Sequence, residues 1–459
     1  MVGSIAGITE FETTGRQLVL FRERAIDAGI NTLRDYTGRH GVARAADFDC
    51  RAVTAEQLDQ TDTIVFDDLG VAVCMLDPEQ LQSLHRATDE SSAIALIEPE
   101  RVVYTANEIG FGGTVPTMSR PITNLMQLTP SLATSNLSVE YLQGYRDGVN
   151  EVINRLVPTN GNGAQRVVTV PGLQAIDETT ATWGLQVTKV VNSRYSGRGV
   201  KVAVLDTGID FTHPDFTGRG IIGKSFITQE DVQDRNGHGT HCIGTACGPL
   251  HPGIPPRYGI GYEAEIFAGK VLSNQGRGFD RGILAGIQWA FTSGCKVISM
   301  SLGAAVSPGQ PYSDIFEVVA ARLLRGGCLI VAAAGNESDR PGTINPVGHP
   351  ANCPSIMAVA ALDAQLQVAR FSNGGLNPDG GQIDIIAPGV DIYSSYPMPT
   401  RYRRLRGTSM ATPHVAGIAA LYAEATGLTG NALWNLLSQK ALRLPLSSVD
   451  VGTGLVQAP

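Results

Sequence analysis

Short, continuous apolar runs at 200–205, 266–271, 296–300, 329–334 and 356–360 constrain this chain more than any other feature of its sequence. Helical patterns, over 282–291 and 315–324 for example, separate several of them. A strand that is apolar along its whole length is buried on both faces. Such strands alternating with helices predict a mostly parallel sheet with helices on both sides, an α/β architecture. Ligands of such sheets bind in the crevice beyond the carboxyl ends of the strands, and the chemistry is expected there.

Composition narrows the possibilities. At about 150 residues per domain, 459 residues correspond to two or three domains. Hydrophobic residues make up 43% and charged residues 17%, so the chain buries a large core. Its 35 basic and 43 acidic residues give a net charge of −8 with no long basic run, which excludes nucleic acid as the main partner. No apolar stretch approaches the roughly 20 residues that span a bilayer, so no membrane partner is expected. The amino terminus, Met1-Val-Gly-Ser-Ile-Ala-Gly7, lacks a basic start and an apolar signal-peptide stretch. This predicts a cytoplasmic protein; a secreted one is the alternative if a signal has been removed. The cysteines at 50, 74, 242, 247, 295, 328 and 353 are odd in number and form no CxxC pair, which predicts reduced thiols, with a single bridge as the alternative.

Three stretches differ in texture. Residues 1–107 read as βαββαβ: a strand at 17–21, then Ile26, Ile30 and Leu33 at helical spacing, strands at 63–66 and 71–75 around Asp67-Asp-Leu-Gly70, a short helix opened by Asp77-Pro-Glu-Gln80, and a last strand from 93. This is the ferredoxin-like α+β pattern, which by itself is silent about function. Residues 108–178 read as a connector with one amphipathic helix over 141–156, broken at Thr159-Asn-Gly-Asn-Gly163. Residues 179–459 hold the α/β domain.

Three residues of that domain have chemical potential. Asp206 ends the strand Lys201-Val-Ala-Val-Leu-Asp206 and is followed by Thr-Gly, so its carboxylate points into the crevice. His238 lies between glycines in Asp234-Arg-Asn-Gly-His-Gly-Thr-His241. Ser409, in Gly407-Thr-Ser-Met-Ala-Thr-Pro413, stands at a helix amino terminus, where free N–H groups favour negative charge. Each alone reads equally well as a structural residue.

In combination they are far more specific. Val204-Leu-Asp-Thr-Gly208, His238-Gly-Thr-His241 and Gly407-Thr-Ser-Met-Ala-Thr-Pro413, in that order, resemble the three signature boxes of subtilisin-type serine proteases. The resemblance runs from about Trp183 to Pro459. It implies a subtilisin-like fold and a serine endopeptidase acting on protein or peptide substrates, with Ser409 as nucleophile, His238 as base and Asp206 orienting it. Asn336, in Val331-Ala-Ala-Ala-Gly-Asn336, resembles the family's oxyanion donor, with the Ser409 backbone N–H as the second.

The same resemblance implies a substrate cleft. Gly276, Arg277 and Gly278 on one side and Ser301, Leu302 and Gly303 on the other match the edges between which a substrate adds as a strand. Ala332, Ala333, Ala334 and Gly335 match the walls of the S1 pocket and Gly348 its floor, which predicts large apolar P1 residues. Asp280 falls where many relatives carry an S4 aromatic, and a carboxylate there predicts a basic or polar P4. His241 and His414 belong to the boxes but have no proton to transfer and are expected to pack. Cys242 follows His241 as in the proteinase K-like branch, and Asp210 and Asp215 read as loop formers. The Gly- and Pro-rich stretch 248–261 stands where many secreted relatives have an Asn-rich calcium loop. The resemblance implies no metal or other cofactor for the chemistry, and a structural calcium is unsupported at that loop but left open elsewhere in the chain.

Residues 1–107 resemble the subtilisin propeptide. By that resemblance the chain is a zymogen inhibited in cis by its own first domain, with processing at Tyr104, Thr105, Ala106 or Asn107. The some seventy residues of 108–178 depart from the family, whose catalytic domain commonly starts soon after the propeptide. Two alternatives remain open: a catalytically silent peptide-binding scaffold, and a maturation protease dedicated to one partner peptide.

Overall fold

The computed structural model describes residues 11–37, 41–48, 53–86, 88, 92–106 and 177–459. The chain divides into one unit of Met1–Glu108 with Val170–Pro459 and another of Ile109–Thr169, and every described residue belongs to the first. The expected helix over 141–156, Cys50 and Asn107 lie outside the described residues.

The amino-terminal part runs β1 (Thr13–Phe21), α1 (Ile26–Thr37), β2 (Val42–Arg44), α2 (Ala55–Gln60), β3 (Thr63–Phe66), β4 (Val71–Met75), α3 (Pro78–Arg86) and β5 (Ile94–Thr105). Its order β5-β1-β4-β3 is that of the ferredoxin-like pattern read from the sequence, with β2 added parallel to β3. Two elements escaped the sequence reading because three and six residues are too few to show a period. α2 is held instead by a capping box between Thr54 and Gln57. β1 is buried on both faces. Val19 and Phe21 pack with Ile30, Leu33 and Leu84 of α1 and α3, while Leu18 and Leu20 join the core of the larger part.

The larger part contains α4 (Trp183–Val187), β6 (Lys201–Asp206), β7 (Ile222–Ser225), α5 (His238–Cys247), β8 (Glu265–Lys270), β9 (Arg277–Phe279), α6 (Asp280–Thr292), β10 (Val297–Met300), β11 (Leu302–Gly303), α7 (Asp314–Arg325), β12 (Leu329–Ala333), β13 (Met357–Leu362), β14 (Ile385–Pro388), β15 (Ile392–Ser395), β16 (Tyr402–Leu405) and α8 (Thr408–Thr426). The main sheet has the order β14-β13-β12-β10-β6-β8-β7, and all its pairings are parallel. The chain begins in the middle at β6, fills one side with β7 and β8, and then crosses to β10 and beyond. The switch point therefore lies between β6 and β10, where such sheets open their crevice. Asp206 ends β6 there, and Ser301 follows β10. α8 is buried almost all round over its first sixteen residues, as a stretch rich in Ala and without Asp, Glu, Lys or Arg requires. Among the described residues, no helix is long and apolar enough to cross a membrane.

Candidate active site

Asp206 Oδ1 accepts from Thr207 N at 2.7 Å and meets His238 Nδ1 at 2.7 Å. Both side chains are 1% exposed. The carboxylate fixes the proton on Nδ1 and leaves Nε2 as the nitrogen able to take another. Nε2 is buried without a hydrogen-bond partner. Burial opposes charge on this imidazole, but the Asp206 carboxylate, with Cys242, outweighs it and holds the pKa well above its ordinary value. Asp206, His238 and Cys242 are also the one close group of potential metal-ligating atoms among the described residues. Nitrogen and oxygen ligands about 2.0–2.1 Å from a tetrahedral ion stand roughly 3.3 Å apart. At 2.7 Å the pair is spaced for a shared proton.

Asp234 builds the turn that presents His238. Its Oδ1 accepts from Asn236 N and Gly237 N, both at 2.9 Å, and its Oδ2 from Thr240 N at 2.9 Å. α5 then runs so close to the end of β6 that a Cβ on Gly239 would lie 2.3 Å from Gly208 O.

Ser409 is the second residue of α8. Four residues on, Pro413 has no N–H to close the helical bond to the Ser409 carbonyl. That oxygen instead accepts from Ser301 Oγ at 2.8 Å and from Cys242 Sγ at 3.5 Å, tying the Ser409 backbone to the residue after β10 and to the middle of α5.

The Ser409 hydroxyl donates to the carbonyl oxygen of Ala106, and Asn336 Nδ2 donates to the same oxygen. The Asn336 amide is oriented from behind, its Oδ1 accepting from Thr408 N at 2.8 Å and Thr408 Oγ1 at 2.9 Å. The Ser409 N–H, expected as the second donor, makes no hydrogen bond to Ala106 O, which accepts from the Ser409 hydroxyl and Asn336 Nδ2.

Ala106 ends a strand that fills the cleft. The last residues of β5 pair antiparallel with β9 on one side (Val102 with Phe279, Val103 with Gly278, Tyr104 with Arg277) and with β11 on the other (Tyr104 with Gly303, Thr105 with Leu302). Thr105 N donates to Gly276 O at 2.9 Å and Ala106 N to Ser301 O at 3.3 Å. Both edge segments expected from the sequence are thus brought together, around this chain's own residues. Gly348 N donates to Ala334 O at 2.9 Å, and a Cβ on Gly348 would fall 2.8 Å from Ala304 O, so glycine is required there by backbone contact. Ala332 and Ala333 end β12. Gly335 follows with φ +109°, a conformation that favours glycine.

Asp280 departs from expectation. It is fully buried, its Oδ2 accepts from the backbone N of Arg101 at 2.9 Å and its Oδ1 meets His349 Nε2 at 3.1 Å. Counting back from Ala106, the fourth residue is Val103, an apolar side chain buried beside Gly278 and Leu272. The carboxylate thus holds backbone two residues further out, and the expectation of a basic or polar P4 is corrected: a long-range partner, invisible in the local sequence, has taken the charge.

The Subtilase family profile matches residues 197–454, more than half of the chain. The chain belongs to the subtilase family. It is 43% identical over 229 residues to subtilisin E of Bacillus subtilis (strain 168), a match covering 50% of this chain and 56% of that protein. It is 39% identical over 271 residues to subtilisin DY of Bacillus licheniformis, covering 58% and 92%, and 41% identical over 281 residues to subtilisin Savinase of Lederbergia lenta, covering 60% and 96%. This subtilase therefore spans little more than half the length of some relatives it matches and nearly all of others.

Several residues around the site carry structural duties. His241 Nε2 lies 2.9 Å from Ile392 O, and burial pushes its pKa down to about 3; His414 Nδ1 lies 2.8 Å from Met410 O, and burial pushes it to about 4. Both stay neutral and pack, as expected. Asp210 accepts from Thr212, Gln233 and Met398. Asp215 does more than shape a loop: its carboxylate accepts from Tyr258 OH at 2.7 Å, Tyr402 OH at 2.9 Å and Gly253 N at 2.9 Å. The stretch 248–261 contains no Asp, Glu, Asn or Gln; the Tyr258 phenol and the Gly253 N–H anchor it to Asp215, and it offers no side-chain carboxylate or amide oxygen to a cation.

Three contributors escaped the sequence reading. Lys270, paired with Asp206 in the parallel register, is completely buried and donates to Thr207 O at 2.6 Å and Asn274 Oδ1 at 2.9 Å, with Glu230 Oε2 at 3.2 Å. A lysine closing an apolar run next to the catalytic-box strand was the available signal. Glu98 and Glu100 of β5 reach the amino ends of two helices. Glu98 accepts from Ser313 Oγ at 2.5 Å and Ile315 N at 3.2 Å at α7, and Glu100 from Arg281 N at 3.0 Å and Arg281 Nη1 at 2.8 Å at α6. Helix amino ends favour carboxylates, but which helices would be met cannot be read locally. The six described cysteines, 74, 242, 247, 295, 328 and 353, are free and buried.

Proposed function

We propose that this subtilase is a serine endopeptidase made as a zymogen, with Asp206, His238 and Ser409 as its triad and residues 1–107 as its inhibitor in cis. The observation that carries the reading is the Ala106 carbonyl, whose oxygen accepts from both Ser409 Oγ and Asn336 Nδ2 at the end of a strand bound between β9 and β11. A peptide carbonyl held by a serine hydroxyl and a side-chain amide is arranged for acyl transfer.

Ser409 Oγ attacks the carbonyl carbon as its proton passes to His238 Nε2. Asp206 keeps the imidazole in the right tautomer and stabilises the imidazolium. Negative charge develops on the carbonyl oxygen, where Asn336 Nδ2 already donates, with the Ser409 N–H as the second donor that the family resemblance implies. The intermediate collapses as His238 returns the proton to the departing nitrogen, leaving an acyl group on Ser409 and a free amine. Water, deprotonated by His238, then attacks the ester; Ser409 recovers its proton and a carboxylic acid is released. All of these roles are filled by side chains and backbone of the chain. In cis the bond so cut is Ala106–Asn107, and the severed strand, still paired on both edges, blocks the cleft.

Intact mass is followed over time for the full chain and for Ser409→Ala. A cut after Ala106 in the first and not the second is expected. If both stay whole, fluorophosphonate labelling of Ser409 decides: no label on the wild type would sink the reading.

A further inference from the structure

The segment 401–406 holds four arginines in six residues and ends three positions before Ser409, in a chain whose net charge is −8. Two are matched by carboxylates: Arg404 lies 2.6 Å from Glu178 and 3.1 Å from Asp391, and Arg401 lies 4.0 Å from Asp215. Arg403, on the opposite face of β16 from Arg404, is exposed and among the described residues its guanidinium meets only a neutral side chain. Its guanidinium lies over the Tyr396 ring, 5.2 Å from the centroid, and donates to the Tyr396 hydroxyl at 3.2 Å. Tyr396 in turn donates to Asn236 O at 3.0 Å and packs so tightly on Gly237 that a Cβ there would fall 2.4 Å from the ring. Arg403 is therefore fixed, through one aromatic ring, to the residue preceding His238.

Position gives this cation a use. Residues on the acyl side of the scissile bond lie between β9 and β11 and end at Ala106. The departing amine must be protonated by His238, so the chain beyond the bond leaves past that histidine. Resting on the proposed endopeptidase function, we infer that Arg403 is a specificity-determining residue for the leaving-group side and favours an acidic residue among the first three positions after the cut. The stacked guanidinium has lost part of its freedom before substrate arrives, and its fork suits a carboxylate. The chain's own sequence after Ala106 is Asn107-Glu108-Ile109, with a carboxylate at the second of these positions.

The test uses the full chain and fluorogenic peptides that carry the residues 101–106 followed by three variable positions. Each position is in turn Glu, Gln or Lys, and kcat/KM is measured in low salt and in 0.5 M salt, on the order of a 4–5 Å screening length. An exposed guanidinium–carboxylate contact predicts about a two- to fivefold preference for Glu over Gln at one position, with Lys poorest. The Glu/Gln ratio should fall to about one in Arg403→Gln and in high salt, and stay above one in Arg403→Lys. The ratio is internal to each enzyme, so a partly folded variant still reports it. Equal rates for Glu and Gln in the wild type, or an undiminished preference in Arg403→Gln, overturn the inference while leaving the endopeptidase reading intact. Failure to cut any peptide, by a chain that has released its first domain, overturns that reading and this one with it.

Discussion

Asn336 Nδ2 and the carbonyl oxygen of Ala106 are hydrogen-bonded across 230 residues of sequence, and the Asn336 amide is itself fixed by Thr408, the residue before the nucleophile. One side chain thus links the bound strand, the end of β12 and the start of α8.

That link sets the first prediction. Asn336→Leu should lower kcat for peptide cleavage by about 10²–10³, the loss typical of removing one oxyanion donor and a figure that comes from subtilisin itself, with KM little changed. Thr408→Val, which removes one of the two donors to Asn336 Oδ1, should cost less, on the order of tenfold. A raised KM with kcat unchanged would assign Asn336 to ground-state binding instead.

In the proposed mechanism His238 must be neutral to act as base, and Asp206 holds its pKa above the usual histidine value of about 6.5. Self-cleavage of the full chain should therefore rise with pH, with a midpoint above about 6.5. A rate already maximal at pH 6 would contradict the buried ion pair.

Glu98 bonds Ser313 and Ile315, yet burial is the largest influence on it and raises its pKa. A raised carboxyl pKa means that the folded state holds its proton better than the unfolded chain does. Stability from this group is thus complete below its unfolded pKa of about 4.5 and is lost as pH rises through the folded value. Thermal melts of Ser409→Ala with and without Glu98→Gln, between pH 4 and 8, should show the Gln variant gaining on its parent as pH rises. Parallel curves would show that Glu98 docks without titrating.

Asp384 follows the same sign. Burial raises its pKa to about 7 while Ala358 N donates to Oδ2 at 2.8 Å. Its stabilising contribution is present below the ordinary carboxylate range and lost as pH climbs through about 7. Asp384→Asn keeps an acceptor without the charge and should stabilise the chain at pH 8 by roughly 2 kcal/mol, with little effect at pH 4. A destabilised variant at pH 8 would mean that the carboxylate is needed there.

Asp215 is nearly inaccessible and depends on two phenols. Tyr258→Phe and Tyr402→Phe should each cost about 1–3 kcal/mol, the penalty of withdrawing a donor from a buried acceptor, and lower Tm whether or not calcium is added. Rescue of either variant by calcium would reveal a cation site at this loop.

Local sequence determined the five inner strands of the main sheet, because strands buried on both faces must be apolar throughout, but not its edge strands β7 and β14; it also showed the βαββαβ frame through short periods and a capped helix. It also marked Asp206, His238 and Ser409, since each stands at a strand end or helix start with small residues around it, in family boxes that cannot be displaced without losing the backbone approach. Tertiary structure decided the rest. Asp280 went to the backbone of Arg101, Lys270 to the Thr207 carbonyl, Glu98 to the start of α7 and Arg403 to the ring of Tyr396. Each is a charged side chain whose partner lies elsewhere in the sequence or across a turn. A charge announces that it needs a counterpart, but only the packing of the sheet against its helices says which one it meets.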